Sequence, residues 1–303
     1  CAEQNNFTTM VWARWFNETL KGIERSNLLR VIRPLDILSH NHSPVKVNVS
    51  QQVYSEWMKD PSNPVSNLST GGSPNTDREI ILFSTNDYLG LSSHPEVVRA
   101  ASESVIEYGM GPRASALVAG HTKLHHLLET DLAKLKGTEK CVLFPTGFGA
   151  NMAVITALCS GDVAVFSDEL NHASIIDGIR LIPRESGGER HVYRHNDMQH
   201  LEQLMSKSRC ARKLVVTDSL FSMDGDVAPL SDLATLRSKF GSMLVVDEAH
   251  ATLVFGSQGA GAVEATGTKA AVDVQVGTLS KAVGSLGGFA CCAAEPAALL
   301  VNA

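Results

Sequence analysis

The rhythm of hydrophobic positions changes near residue 79 and divides the chain. Before that point Trp12, Trp15, Phe16, Leu20, Ile23 and Leu28 recur at roughly helical spacing, which predicts an amphipathic helix over 11–32, ended by Pro34. Residues 41–79 then turn polar, and PSNPVSNLSTGGSPNTDRE holds three prolines and two glycines, so the stretch reads as a surface insertion without catalytic residues. From Glu79 onward short apolar runs alternate with helical text. EIILFS leads into NDYLGL; helical patterns follow at 95–108 and 123–136; strands at 140–144 and 163–166 each enter a turn and a helix; RKLVVTDS, MLVVDEAH and DVQVGTLS continue the series. Continuous apolar strands separated by helices predict an α/β domain with a mainly parallel central sheet flanked by helices. The expected division is a 1–78 N-terminal helix and polar insertion, followed by a 79–303 cofactor-binding domain whose ligands sit beyond the C-terminal ends of the strands.

Composition narrows the partners. At 303 residues and 44% hydrophobic, the chain buries a full core and exceeds the usual single domain, so one large domain plus part of a second is expected. A net charge of −6 lacks the basic excess that a phosphate backbone demands, which argues against nucleic acid. No apolar run approaches the ~20 residues of a membrane span. Six cysteines without a CxxC pair suit a reducing compartment. Sequons at Asn6, Asn17, Asn41, Asn48 and Asn67 fall in Asn/Ser-rich text with no signal-peptide core, so they read as chance and the expectation is a cytoplasmic protein. An organellar address, a peroxisomal one included, stays open, because a start at Cys1 and a stop at Ala303 inside the helix-like AAEPAALLVNA read as cut edges.

The polar tails of the strands carry the candidate chemistry. VQVGTLSKAVGSLGGF sets Lys281 in a Ser/Gly-rich turn after an apolar run, where a desolvated amine has a lowered pKa and can form a Schiff base. In VVDEAH, strand alternation sends Asp247 and the small Ala249 to one face and His250 in another direction. An acid so placed can hold a protonated pyridine nitrogen, and the imidazole can reach a phenolic oxygen; with the lysine they suggest a pyridoxal-phosphate enzyme. Thr278, three residues before the lysine, offers a phosphate hydroxyl, and Gly147 and Phe148 in FPTGF open a helix whose N-terminus favours an anion. His172 in SDELNHAS can stack on a ring or meet a carboxylate, and Ser222 in DSLFSMDGD can donate to a cofactor.

Taken in this order, NDYLGL, TGFGANMAV, ELNHASIIDG, FSMDGD, VVDEAHAT and GTLSKA resemble the α-oxoamine synthases, fold-type-I pyridoxal-phosphate transferases that condense an amino acid with an acyl thioester and release CO2. The resemblance runs from about Leu29 to Phe289, the 41–79 stretch excepted. It implies pyridoxal 5'-phosphate as cofactor, Lys281 as the Schiff-base residue, Asp247 as the pyridinium partner, and His250 and Ser222 at the phenolate edge. It further implies Thr278, Gly147 and Phe148 on the phosphate side, His172 over the ring, and Arg30 in LRVIRP as a substrate-contacting arginine. Lys281, His172 and Asp247 are the expected catalytic residues, with no metal. The expected substrates are L-alanine and pimeloyl-CoA, or a pimeloyl carrier protein, in biotin synthesis; glycine with an acetyl donor, serine with a palmitoyl donor and an inert truncated or partner subunit stand as alternatives. The resemblance implies a homodimer with the site at the subunit interface, and a C-terminal small domain that this chain lacks. Ala114 and His121 stand where the resemblance expects Gly and Tyr.

Overall fold

The computed structural model describes residues 2–26, 28–29, 32, 35–37, 45–59, 78–183 and 187–302. They form two compact units, Cys1–Ser84 and Thr85–Ala303.

The first unit holds helix α1 (Ala2–Arg25), strands β1 (Asp36–Ile37), β2 (Val45–Val49) and β3 (Arg78–Leu82), and helix α2 (Gln51–Lys59). The strands make an antiparallel sheet in the order β1-β2-β3. Three expectations change here. The helix expected over 11–32 runs over 2–25 and stops well before Pro34, and Trp12, Trp15, Phe16 and Leu20 are each about half exposed. The 41–79 stretch, expected as a polar excursion, contains a strand and a helix. Val47 and Val49 are buried, because VKVNV alternates at the period of two that gives a strand one apolar face. EIIL, expected to begin the large sheet, pairs instead with β2, so the division expected after residue 78 falls after Ser84. Arg30 and Pro34 lie outside the described residues.

The second unit begins with α3 (Pro95–Tyr108) and α4 (Lys123–Lys136) and continues through β4 (Lys140–Phe144), α5 (Gly147–Leu158), β5 (Val163–Asp168), α6 (Ala173–Leu181), β6 (Glu189–Tyr193) and α7 (Met198–Lys207). It closes with β7 (Arg212–Asp218), α8 (Leu230–Phe240), β8 (Met243–Asp247), α9 (Ala262–Ala265), β9 (Val274–Thr278), β10 (Gly288–Cys292) and α10 (Ala294–Asn302). Its seven-stranded sheet has the order β4-β10-β9-β8-β7-β5-β6, parallel except for β10, which runs antiparallel to both neighbours. The sequence reading passed over β6 and β10.

Alternation along the strands feeds two cores, one on each face of the sheet. Val165, Val216 and Val245 pack with Val154 and Ile155 of α5 and Leu300 of α10, while Phe166, Val215 and Val246 pack with Leu201 and Met205 of α7 and Leu233 of α8. Both sheet faces are therefore apolar, which is why the strands read as unbroken hydrophobic runs. Local chemistry fixes the helix ends: Thr122 forms a capping box with His125 before α4, and Gly137 ends that helix in the left-handed region at φ 68°. Beneath the sheet's end Lys136 and Glu248 form a fully buried ion pair. No helix among the described residues is long and apolar enough to cross a membrane.

Candidate active site

β4, β7, β8 and β9 point the same way, so their C-terminal ends share one edge of the sheet. A cleft opens there. Lys281, Asp247, His250, His172, Ser222, Thr278, Gly147 and Phe148 all line it, together with Asn151, Ser174, Asp218 and Ser280, which the sequence reading did not single out.

The glycine at the start of α5 is set by space. A Cβ at Gly147 would stand 2.8 Å from Thr278 Cβ and 3.0 Å from its Oγ1. Thr146 caps the helix by accepting the Gly149 N–H at 2.9 Å, and the first-turn amides of Gly147 and Phe148 have no partner within the helix to bond. The hydroxyls of Thr278 and Ser280, 2.8 Å apart, stand beside that helix end. The Thr278 hydroxyl donates to Gly287 O at 3.0 Å, so the Ser280 hydroxyl beside it and the open amides of the helix N-terminus supply the donors of an anion cradle.

β8 ends at Asp247, and the chain beyond it turns rather than continuing as a strand. Glu248 N–H donates to Val276 O at 2.7 Å and Ala249 N–H to Asp247 Oδ1 at 2.7 Å. That turn brings His250 into the cleft with Asp247 and Ala249, where strand alternation predicted divergent directions. Asp247 Oδ2 accepts from Asn151 Nδ2 at 2.6 Å, and the same amide donates to Ser174 Oγ at 2.9 Å. Ser174, its oxygen occupied, turns its proton to His172 Nδ1 at 2.7 Å, and the Ser174 N–H reaches the same nitrogen at 3.2 Å. His172 therefore keeps a lone pair on Nδ1 and its proton on Nε2. A single hydrogen-bonded chain thus joins the carboxylate to the histidine.

Asp218 and Asp247 face each other across adjacent parallel strands. Burial, reinforced by the charge of Asp247, holds the Asp218 carboxyl well above the ordinary carboxylate range. Its Oδ2 accepts the His172 N–H at 2.8 Å.

Lys281 Nζ lies 2.6 Å from His250 Nε2, and Tyr88 Oη lies 2.7 Å from His250 Nδ1. Burial, with the lysine charge next in size, lowers His250 to about 4. Burial also lowers Lys281, against the pull of Asp247 and Asp218. The amine is thereby biased toward its neutral, nucleophilic form. Its turn is held by the Gly284 N–H donating to Lys281 O at 2.8 Å; Gly284 sits at φ 71°, and a Cβ there would strike the backbone of Leu91 and Ser92. Close approach of the same kind accounts for GMGPRASALVAGH: a Cβ on Gly120 would overlap the Ala114 carbonyl, so the position that needs glycine is 120, while Ala114 has no left-handed φ.

A half-buried amine, a buried carboxylate and an anion cradle at the ends of parallel strands define a pyridoxal-phosphate site of the fold-type-I transferases. The residues fit that cofactor: Gly147 keeps open the space beside Thr278, Asp247 is buried and oriented by Asn151, and Asn151 Oδ1 is a buried acceptor without a partner among the described residues. Residues 78–302 match the model of the class I and II aminotransferases. The chain belongs to this family, in its α-oxoamine synthase branch.

It is 42% identical over 325 residues to an 8-amino-7-oxononanoate synthase of Arabidopsis thaliana, covering 93% of this chain and 68% of the relative. Against the enzyme of that name from Geobacter sulfurreducens it is 47% identical over 226 residues, covering 74% of this chain and 57% of the relative. A solved serine palmitoyltransferase from Sphingomonas wittichii superposes with a TM-score of 0.70 at 36% identity, covering 74% of this chain and 55% of that one. An 8-amino-7-oxononanoate synthase from Francisella tularensis superposes at 0.60 with 30% identity, over 73% of this chain and 60% of that one. The chain thus spans little more than half the length of most of these relatives.

Proposed function

We propose that this protein is a pyridoxal-phosphate-dependent acyltransferase that joins L-alanine to a pimeloyl thioester, pimeloyl-CoA or pimeloyl carrier protein. The products are 8-amino-7-oxononanoate, CO2 and the free thiol, in biotin synthesis. The observation that carries the reading is the convergence of Lys281, Asp247 and the α5 N-terminus on one cleft, and the higher identity to 8-amino-7-oxononanoate synthases supports the choice of substrates.

When bound, pyridoxal phosphate supplies an electron sink for the carbanion at the amino acid's Cα. The residues of the chain do the rest. Gly147, Phe148, Thr278 and Ser280 hold the phosphate end. Asp247, fixed by Asn151 and the Ala249 amide, keeps a proton on the ring nitrogen. His250 and Ser222 serve the phenolic edge. Lys281, whose amine is biased toward neutrality, anchors the cofactor and, once displaced, takes the proton from Cα. His172, its Nδ1 engaged by Ser174, lines the cleft with Nε2–H free to donate, and such a donor would orient the carboxylate that leaves as CO2. Arg30 remains the proposed acyl-chain contact.

The partner in this reading is a second copy of the chain. Ile106, Met110, Leu117 and Val118, each more than 70% exposed, support a dimer surface beside the α3–α4 segment. A reducing, cytoplasmic setting goes with the five free buried cysteines among the described residues.

Higher TM-scores to serine palmitoyltransferase structures favour a second reading, serine with a palmitoyl thioester. Turnover decides between them: alanine with pimeloyl-CoA is expected to exceed both serine with palmitoyl-CoA and glycine with acetyl-CoA, and the reverse order would refute the assignment. Reconstitution is expected to give an absorbance near ~420 nm that Lys281→Ala abolishes.

A further inference from the structure

We propose that His195, outside the cleft, is a positioning residue: as an imidazolium it ties Asp168, at the end of β5, to Asp226, at the base of the loop that presents Ser222. Its Nδ1 lies 2.9 Å from Asp168 Oδ1 and its Nε2 2.8 Å from Asp226 Oδ2. Asp168 already accepts the Leu170 N–H on Oδ1 and the Asn196 N–H on Oδ2, both at 2.9 Å, and Asp226 Oδ2 accepts from Asn196 Nδ2 at 2.8 Å. Each ring nitrogen faces a carboxylate oxygen, and Asn196 Nδ2, which also stands 3.1 Å from Nε2, directs its proton to Asp226 Oδ2, so the imidazole donates from both nitrogens, and a ring with two N–H groups is the cation.

The clamp grips the loop near its two ends. The His195 ring meets the buried Phe221 edge-on at 4.4 Å, and the Phe221 N–H donates to Asp226 O at 3.0 Å. Gly225 N–H closes on Phe221 O at 2.8 Å, so residues 222–224 form a short tip whose Ser222 lines the cleft. One step further in, Ser219 N–H donates to Asp247 O at 2.8 Å. Asn196 adopts φ 53°, a left-handed conformation asparagine tolerates, and so reaches both aspartates.

Glu169 accepts the His195 backbone N–H at 2.8 Å, Arg194 pairs with Asp197 at 2.6 Å, Asp218 ends the neighbouring β7, and Asp224 is in the tip. Burial works against the charge on His195, but the two carboxylates outweigh it and raise the group above its ordinary value. A raised histidine contributes fully at low pH, and the contribution is lost as pH rises through the folded value.

The effect on cofactor binding rests on the function proposed above; the protonation of His195 does not. 15N NMR of histidine-labelled, cofactor-free protein is expected to show both His195 nitrogens protonated at pH 6, with a midpoint above about 6.5 that Asp226→Asn lowers. A ring carrying one proton at pH 6 overturns the clamp. Pyridoxal phosphate affinity, followed by fluorescence from pH 6 to 9, is expected to be about fivefold weaker in His195→Gln at pH 6. The gap closes as pH rises, because the wild type then loses the same contact. Lys281 and His250 titrate in both proteins and cancel in the ratio, so a ratio independent of pH refutes the positioning role. Asp226→Asn is expected to reproduce the pattern. Should the wild type bind no pyridoxal phosphate, the proposed function fails, and the NMR titration still decides the state of His195.

Discussion

Lys136→Met tests how the turn that carries Asp247 and His250 is held in place. Lys136 and Glu248 have no exposed side-chain surface, and the ammonium donates to Glu248 Oε2 at 3.0 Å, Thr252 Oγ1 at 2.9 Å and Ala260 O at 2.7 Å, which uses its three protons. Glu248 Oε1 accepts the Val263 N–H at 3.1 Å. Methionine fills the space of the stem but removes the charge, leaving a buried carboxylate with one backbone donor and two further acceptors facing nothing. Breaking one side of such a pair costs about 3–5 kcal/mol. In a unit of this size each kcal/mol moves Tm by about 2–4 °C, so a fall of about 6–20 °C is expected in the cofactor-free protein. Lys136→Met/Glu248→Gln is expected to recover at least half of the loss, because the neutral amide still accepts from Val263. Calorimetry of the single and double variants checks both numbers. A single variant within about 1 kcal/mol of wild type, or a double variant no better than the single, would falsify the reasoning.

Other perturbations address the cleft directly. Because the folded His250 titrates at about 4 against an ordinary 6.5, the unfolded chain binds the extra proton between those values. Stability is therefore expected to fall as pH drops from about 6.5 toward about 4, by on the order of 1 kcal/mol after allowing for partial solvent screening, and His250→Gln is expected to remove that slope in urea titrations. Gly147→Ala drives a methyl against Thr278 and is expected to weaken pyridoxal phosphate about tenfold at a stability cost of about 1–3 kcal/mol, read by fluorescence titration and thermal melts. Asn151→Ala strips Asp247 Oδ2 and Ser174 of their shared donor, with an expected loss of about 1–3 kcal/mol; Asn151→Asp adds a like charge instead and should be less stable than Asn151→Ala at pH 7 but not at pH 4, a crossing whose absence counts against the network.

What the sequence made legible follows from which forces act along the chain and which act across it. β5, β7, β8 and β9 were readable because burial on both faces leaves each an unbroken apolar run with a polar tail. β10 was not: GFACC runs antiparallel between β9 and β4 directly after the lysine turn, and nothing in five residues announces a strand that reverses direction. Lys281, Asp247, His250 and Thr278 stand in turn-rich text where a reactive group is conspicuous. Asn151 stands inside the apolar helix GFGANMAVITAL, and its burial is explained only by partners on β8 and α6 that the sequence does not place beside it.

One missed signal was nonetheless present. FSD, VTD and VVD close three strands with aspartate, and pairing sets those strands side by side in the order β8-β7-β5. The three carboxylates share chemistry and burial, and Asp218 stands opposite Asp247, whereas the pairing of Ser167 with Val216 sets Asp168 one residue out of step, toward the other face of the sheet. Asp168 accepts two backbone N–H groups and faces an imidazole nitrogen. Asp218, burdened by burial and by Asp247 across the ladder, is pushed toward holding its proton. Asp247 takes two donors, one from Asn151 and one from the Ala249 amide. One residue type at the ends of three neighbouring strands thus meets three different sets of partners, and the difference lies in donors contributed by other segments rather than in the aspartates themselves.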